Sequence, residues 1–276
     1  DLIQTHLQTL KSYPCHPPPA SLHILIDRCR LVDTTPYVAV RLRVQLITIF
    51  MKKTIITASI LGLFSLLSTG AMSVYAADIY VDATATGAND GTTAVDAFLT
   101  IQDAVSAAGS TGDTIIINGT QVVTSTITVA KELTLKSGTA GRIETTGGTH
   151  IFVTTAPNVT IDGITFVKTD IGTQNMINVQ GANTSIINNN FSSQWNIGDA
   201  EVVRALEVST TNGLVIRNNQ FTHLRQPAYI NDNTTGVIEN NYVSDTKGWV
   251  VVANTNMTFT GNTFGTNVVD IAFIPG

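Results

Sequence analysis

Asn158-Val-Thr-Ile-Asp-Gly-Ile-Thr-Phe166 is the stretch that decides the fold, because its pattern returns four more times along the chain. The later copies are Asn183-Thr-Ser-Ile-Ile-Asn-Asn-Asn-Phe191, Gly213-Leu-Val-Ile-Arg-Asn-Asn-Gln-Phe221, Thr235-Gly-Val-Ile-Glu-Asn-Asn-Tyr-Val243 and Asn256-Met-Thr-Phe-Thr-Gly-Asn-Thr-Phe264. Their last residues lie 25, 30, 22 and 21 positions apart, which is the period of a solenoid. One copy supplies one turn of a coil.

The fourth place is always large and apolar (Ile161, Ile186, Ile216, Ile238, Phe259), and so is the ninth (Phe166, Phe191, Phe221, Val243, Phe264). Places six and seven are Gly or Asn in every copy except at Ile164. Gly and Asn tolerate left-handed backbone angles, so each copy reads as a short strand, a sharp turn and a second strand. Asn side chains stacked from turn to turn, about 4.8 Å apart, can also hydrogen-bond in a ladder.

A second column precedes the motif: Ile151-Phe-Val153, Ile177-Asn-Val179, Leu206-Glu-Val208, Ala228-Tyr-Ile230 and Trp249-Val-Val251. Alternation with a period of two turns their outer members inward and places Phe152, Asn178, Glu207, Tyr229, Val250 and Ala272 on an outer face. An antiparallel sandwich would need hairpin turn pairs between adjacent strands and would not hold a constant phase. The expected fold is all-β, a right-handed parallel β-helix spanning residues 77–276, opened by a short N-terminal capping helix.

Residues 1–50 differ from the rest in containing both cysteines (Cys15, Cys29) and five of the eight prolines. Met51 then opens Lys52-Lys53, an apolar run to about Leu67, and small residues up to Ala76. That is the pattern of a secretory signal peptide over 51–76, with residues 1–50 read as upstream sequence that is not natively translated. From Ala77 on the chain has no cysteine. It carries 8 Lys and Arg (7 of the 15 come earlier) against 17 Asp and Glu (3 of the 20 come earlier), a net charge of −9. Such acidity disfavours nucleic acid and anionic membranes as partners. It is compatible with calcium, but no Asp-x-Asp-x-Asp loop is present and no cofactor is implied.

Ile79-Tyr-Val-Asp82, Asn89-Asp-Gly91, Phe98-Leu-Thr-Ile-Gln102 and Gly112-Asp-Thr-Ile-Ile-Ile117 together resemble the opening of pectin-lyase-like β-helix proteins, secreted proteins built of PbH1 repeats. Thr100 and Asp103 form a capping box, and Ile101, Ala104, Val105 and Ala108 line one face of a helix ended by Gly109. Thr114 to Ile117, Ile127 to Val129, Leu133 to Leu135 and Ile143 read as the first turns. The chain ends at Phe273-Ile-Pro-Gly276 without a polar cap, so a continuation or a covering partner is expected there. The resemblance speaks for fold and leaves activity open, since this architecture hosts lyases, hydrolases, esterases and passive adhesins.

Core residues fill the interior, so function falls to outward columns and loops. A patch of Arg204, Arg225, Lys247, Glu201, Glu207, His223 and Tyr229 is expected on neighbouring turns, with Asn175 and Gln226 in the same column as Arg204. Beside it runs the longest loop, Ser192 to Ala200, carrying Trp195. Arg204, His223, Lys247 and Glu201 are the candidates for catalysis: in a lyase, a base removes the proton beside a uronic acid's carboxylate while cations neutralise that carboxylate. Trp195, Glu207, Arg225 and Tyr229 are the candidates for ligand binding, as ring platforms and charged hydrogen-bonding groups along a sugar chain.

Glu201-Val-Val-Arg204 followed by Ile216-Arg-Asn-Asn-Gln-Phe221 faintly resembles the alginate lyase and chondroitinase family of β-helix polysaccharide lyases. The strand of the following coil, Tyr229-Ile-Asn-Asp232, lacks the Lys that the resemblance would require. The plain alternatives are that His223 is a turn residue, that Trp249 is core, and that the arginines pair with Glu201 and Glu207 on a solvated face for ~0–1 kcal/mol each. Three functions follow. The first is a secreted, periplasmic or surface protein, of bacterial type, that binds polysaccharide or another surface ligand without chemistry. The second is a polysaccharide lyase or hydrolase, and the third a structural module of a larger surface protein. The incomplete catalytic set favours the first.

Overall fold

A computed structural model describes residues 75–109, 111–145, 148, 150–169, 175–200 and 203–276. The expected upstream segment, all of the signal peptide except Tyr75 and Ala76, and Glu201 lie outside the described residues.

The described chain is a parallel β-solenoid with three strands per turn. The first sheet has eight strands in the order β1 (Asp78–Val81), β2 (Thr111–Ile117), β5 (Glu132–Ser137), β8 (Thr160–Asp162), β11 (Ser185–Ile187), β14 (Leu214–Arg217), β17 (Thr235–Glu239) and β20 (Asn256–Thr260). The second has seven: β3 (Thr120–Val123), β6 (Arg142–Thr145), β9 (Thr165–Lys168), β12 (Asn190–Ser192), β15 (Gln220–Leu224), β18 (Tyr242–Thr246) and β21 (Thr263–Phe264). The third also has seven: β4 (Ile127–Val129), β7 (Phe152–Thr154), β10 (Ile177–Val179), β13 (Arg204–Val208), β16 (Gln226–Ile230), β19 (Trp249–Val252) and β22 (Ile271–Ile274).

The repeated motif supplies the first two sheets and the corner between them. Its fourth places pair in one row, Ile161, Ile186, Ile216, Ile238 and Phe259. Its ninth places pair in another, Phe166, Phe191, Phe221, Val243 and Phe264. Both rows point into the coil. Phe166, Phe191 and Phe221 stack nearly parallel with centroids 4.8 and 5.1 Å apart, and Trp249 closes the stack edge-on, 5.3 Å from Phe221. Trp249 is core, as its inward phase implies.

Places six and seven do different work. The sixth holds the left-handed turn in every copy, with φ of 72° at Gly163, 58° at Asn188, 57° at Asn218, 55° at Asn240 and 65° at Gly261. The seventh turns inward and builds the ladder. Asn189 Nδ2 donates to Asn219 Oδ1 at 3.1 Å, Asn219 Nδ2 to Asn241 Oδ1 at 3.0 Å, and Asn241 Nδ2 to Asn262 Oδ1 at 2.9 Å. Each amide also serves the backbone, so the corner's buried polar groups are paired without water.

The helix α1 (Ile101–Ala107) packs Ile101, Ala104 and Val105 against the first strands. Thr100 caps its start, its side chain accepting from the Asp103 N–H at 3.1 Å and donating to Asp103 Oδ2 at 2.6 Å. At its end Lys131 Nζ donates to the carbonyls of Val105, Ser106 and Ala108, at 3.1, 3.0 and 2.6 Å. A cation placed there satisfies carbonyls that have no partner within the helix. Asp113 then accepts from the N–H groups of Ala77 and Gly109, tying the first strand to the helix exit. Among the described residues no helix is long and apolar enough to cross a membrane.

The third sheet departs from the expected placement at β7. Phe152, expected outside, is fully buried and pairs with Ile177, while Val153 takes the outward place beside Asn178. Ile151 is buried as well, so two inward residues in succession shift the strand's phase by one.

Candidate functional site

The outer face of the third sheet carries a row of register partners: Val153, Asn178, Glu207, Tyr229, Val250 and Ala272. Arg204 belongs to this face too, although it stands three residues from Glu207. Ala205 and Leu206 are both buried, so the alternation breaks within β13 and returns Arg204 and Glu207 to the same side. Gln226, the first residue of β16, is the register partner of Arg204 on the next turn.

These residues form one connected group. Arg204 Nε donates to Gln226 Oε1, and Arg204 Nη1 donates to Glu207 Oε2 at 3.1 Å. The same carboxylate oxygen accepts from Asn175 Nδ2 at 3.2 Å. The guanidinium carbon lies 4.9 Å from the centroid of the Tyr229 ring, a cation–π contact. The ion pair is largely sheltered, with about a fifth of each side chain exposed (20% and 23%). Burial pushes the Arg204 guanidinium below its ordinary value; Glu207 opposes that shift and nearby Arg225 adds to it.

Polar atoms without partners gather here. Asn175 Oδ1, Asn178 Oδ1 and Arg225 Nε are buried with no hydrogen bond among the described residues. Each is closed off from solvent, so these are unsatisfied groups within the packing and not contacts offered at the surface.

The other expected site residues divide. Arg225 and Lys247 stand at the corner between the second and third sheets. There the Arg225 N–H donates to Val203 O at 2.9 Å and the Lys247 N–H to Arg225 O at 2.7 Å, which keeps successive turns in step. Lys247 Nζ sits 5.7 Å from the Trp195 ring centroid. Trp195 itself is a correction: it is completely buried, not an exposed sugar platform. Its loop folds back through Ser193, whose hydroxyl donates to His223 O and accepts from the Trp195 N–H. That return sinks the indole into the core.

His223 lies in β15 on the second sheet, exposed, with φ of 53°. Its side chain makes no hydrogen bond among the described residues, so it is not joined to the Arg204 group. Glu207, the carboxylate nearest Arg204 in the network, is committed to Arg204 and Asn175. The geometry thus joins Arg204, Glu207, Gln226, Tyr229 and Asn175 in one contact network, with Asn178 in register beside Glu207.

Sequence reasoning treated the turn amides as scaffold only. It passed over the eighth place of the motif, where Asn190, Gln220 and Tyr242 pair in register on the outside of the second sheet. The signal was present as polar or aromatic residues at a fixed phase, next to the apolar ninth place.

Compared with models of known protein families, with curated proteins and with solved structures, the chain matches none of them.

Proposed function

We propose that this chain is an exported, pectin-lyase-like β-helix protein that binds an acidic polysaccharide along the outer face of its third sheet without cleaving it. The observation that carries the reading is the sheltered Arg204–Glu207 pair over Tyr229 on the outer face of the third sheet. Arg204 spends one N–H on Gln226 and one on Glu207 out of five. The rest can serve a carboxylate of the polymer. Strands about 4.7–4.9 Å apart give a lattice of such groups along the coil axis.

The acidity of the chain after Ala77 supports a local site over diffuse adhesion. A net charge of −9 repels an anionic polymer from most of the surface and leaves Arg204, with Arg225 and Lys247 at the neighbouring corner, as its landing place. The signal-like segment beginning at Met51 supports an extracellular or periplasmic location. Affinity electrophoresis in gels containing alginate, polygalacturonate or chondroitin tests the reading. At least one polymer retards the chain, Arg204→Ala abolishes the retardation, and no unsaturated product forms.

A further inference from the structure

A second surface lies at the corner between the first and second sheets. Because the seventh side chain of each motif copy turns into the coil, the sixth and eighth flank it on the outside. In the three middle copies these are Asn188, Asn218 and Asn240 in one row and Asn190, Gln220 and Tyr242 in the other. Between the rows runs a groove of about 460 Å³. We propose that this groove binds a neutral, hydroxyl-rich glycan chain, at a site separate from the Arg204 face.

The backbone does not demand these side chains. The sixth place needs only tolerance of a left-handed turn, and Gly163 and Gly261 supply it in the first and last copies. The eighth place holds Thr165 and Thr263 in those same copies. Large amides and the tyrosine are thus confined to three consecutive turns, and the groove coincides with those turns.

Its hydrogen-bonding capacity is left open. Asn218 Nδ2 donates to Asn188 Oδ1 at 3.3 Å, while the lining side chains of Gln220, Asn240 and Tyr242 make no hydrogen bond among the described residues. Each amide offers both donors and an acceptor, which suits a hydroxyl that is itself both. The Tyr242 ring is 41% exposed at one end of the groove, available to stack against a sugar face.

Charge decides the ligand class. No ionisable carboxylate or cation lines the groove; Arg217 at its margin is paired with Glu239, and Asp162 accepts from Asn188 Nδ2 at 2.7 Å. An anionic polymer gains nothing here, while an uncharged one is not repelled. Successive rings of an extended glycan advance by close to the spacing of the turns, about 4.7–4.9 Å, so one ring can meet one pair of side chains.

The test is affinity electrophoresis of the chain in gels containing hydroxyethylcellulose, galactomannan or mixed-linkage β-glucan. At least one should retard it, with little dependence on salt. Tyr242→Ala should weaken that retardation about tenfold or more, and Gln220→Ala or Asn240→Gly about threefold or more. Asn240→Gly keeps the turn that Gly163 and Gly261 already form, so unfolding cannot account for its effect; thermal melts monitored by circular dichroism verify this. Arg204→Ala should leave neutral-glycan binding unchanged whether or not the acidic-polymer site exists. The proposal is overturned if none of the three polymers retards the chain, if Tyr242→Ala is retarded like the parent, or if Arg204→Ala abolishes the retardation.

Discussion

Asn219 Oδ1 accepts two bonds from Asn189 at once, from its backbone N–H at 2.9 Å and from its side-chain Nδ2 at 3.1 Å. On its other side, Asn219 Nδ2 donates to Ile186 O at 2.8 Å and to Asn241 Oδ1 at 3.0 Å. One buried side chain thus joins three turns. Its neighbour Asn218 points outward from a left-handed turn, and its side chain makes one exposed bond, donating to Asn188 Oδ1 at 3.3 Å.

Two adjacent asparagines should therefore respond in opposite ways. Asn219→Ala strands the Asn189 N–H and the Ile186 carbonyl, at about 1–3 kcal/mol for each buried group left unpaired. Asn218→Gly keeps the turn and loses one exposed hydrogen bond to Asn188, so it should change stability by less than about 1 kcal/mol. Urea denaturation of the two variants measures both.

The aromatic stack should behave as one packed column. Phe191 lies between Phe166 and Phe221, within 4.8 and 5.1 Å of each ring. Phe191→Ala should cost about 3–5 kcal/mol, and Phe191→Leu clearly less, because much of the cost is the cavity. Equilibrium unfolding of both variants gives the comparison.

Lys131 holds the end of α1 from a different turn. Its ammonium serves three carbonyls, so Lys131→Met should cost on the order of 1.5–3 kcal/mol, the worth of a charged hydrogen bond. Loosening should begin at the helix. Limited proteolysis should then cut first between residues 100 and 110.

Trp195 separates packing from recognition. With its ring in the core, Trp195→Ala should lower stability by about 3–5 kcal/mol, whereas Tyr229→Phe should leave stability within about 1 kcal/mol. Thermal melts that show Trp195→Ala as stable as the parent would return Trp195 to the surface.

What could be read from the sequence was whatever repeats in phase. The Ile161 row, the Phe166 row and the turn at the sixth place are each fixed by one side chain per turn, and all three pair as their spacing implies. Phe152 was misplaced because Ile151 and Phe152 are both inward, and two adjacent buried residues defeat a period of two. Trp195 sits in an aperiodic loop, where no alternation tells inside from outside. Arg204 and Glu207 were both named, but their pairing depends on the doubled inward step at Ala205 and Leu206, which becomes visible only once the strand is laid in its sheet.

The most direct test of the account is the mobility of the chain in gels containing alginate, polygalacturonate or chondroitin, compared between the parent and Arg204→Ala, with absorbance of the unsaturated product followed in parallel. The account predicts that at least one polymer retards the parent and does so less at high salt, that Arg204→Ala runs free while still unfolding cooperatively, about 1–3 kcal/mol less stable for the sheltered groups it leaves unpaired, and that the absorbance stays flat. Equal mobility of parent and variant in every gel would contradict binding at the Arg204 face. A rising absorbance that Arg204→Ala abolishes would make that face an active site.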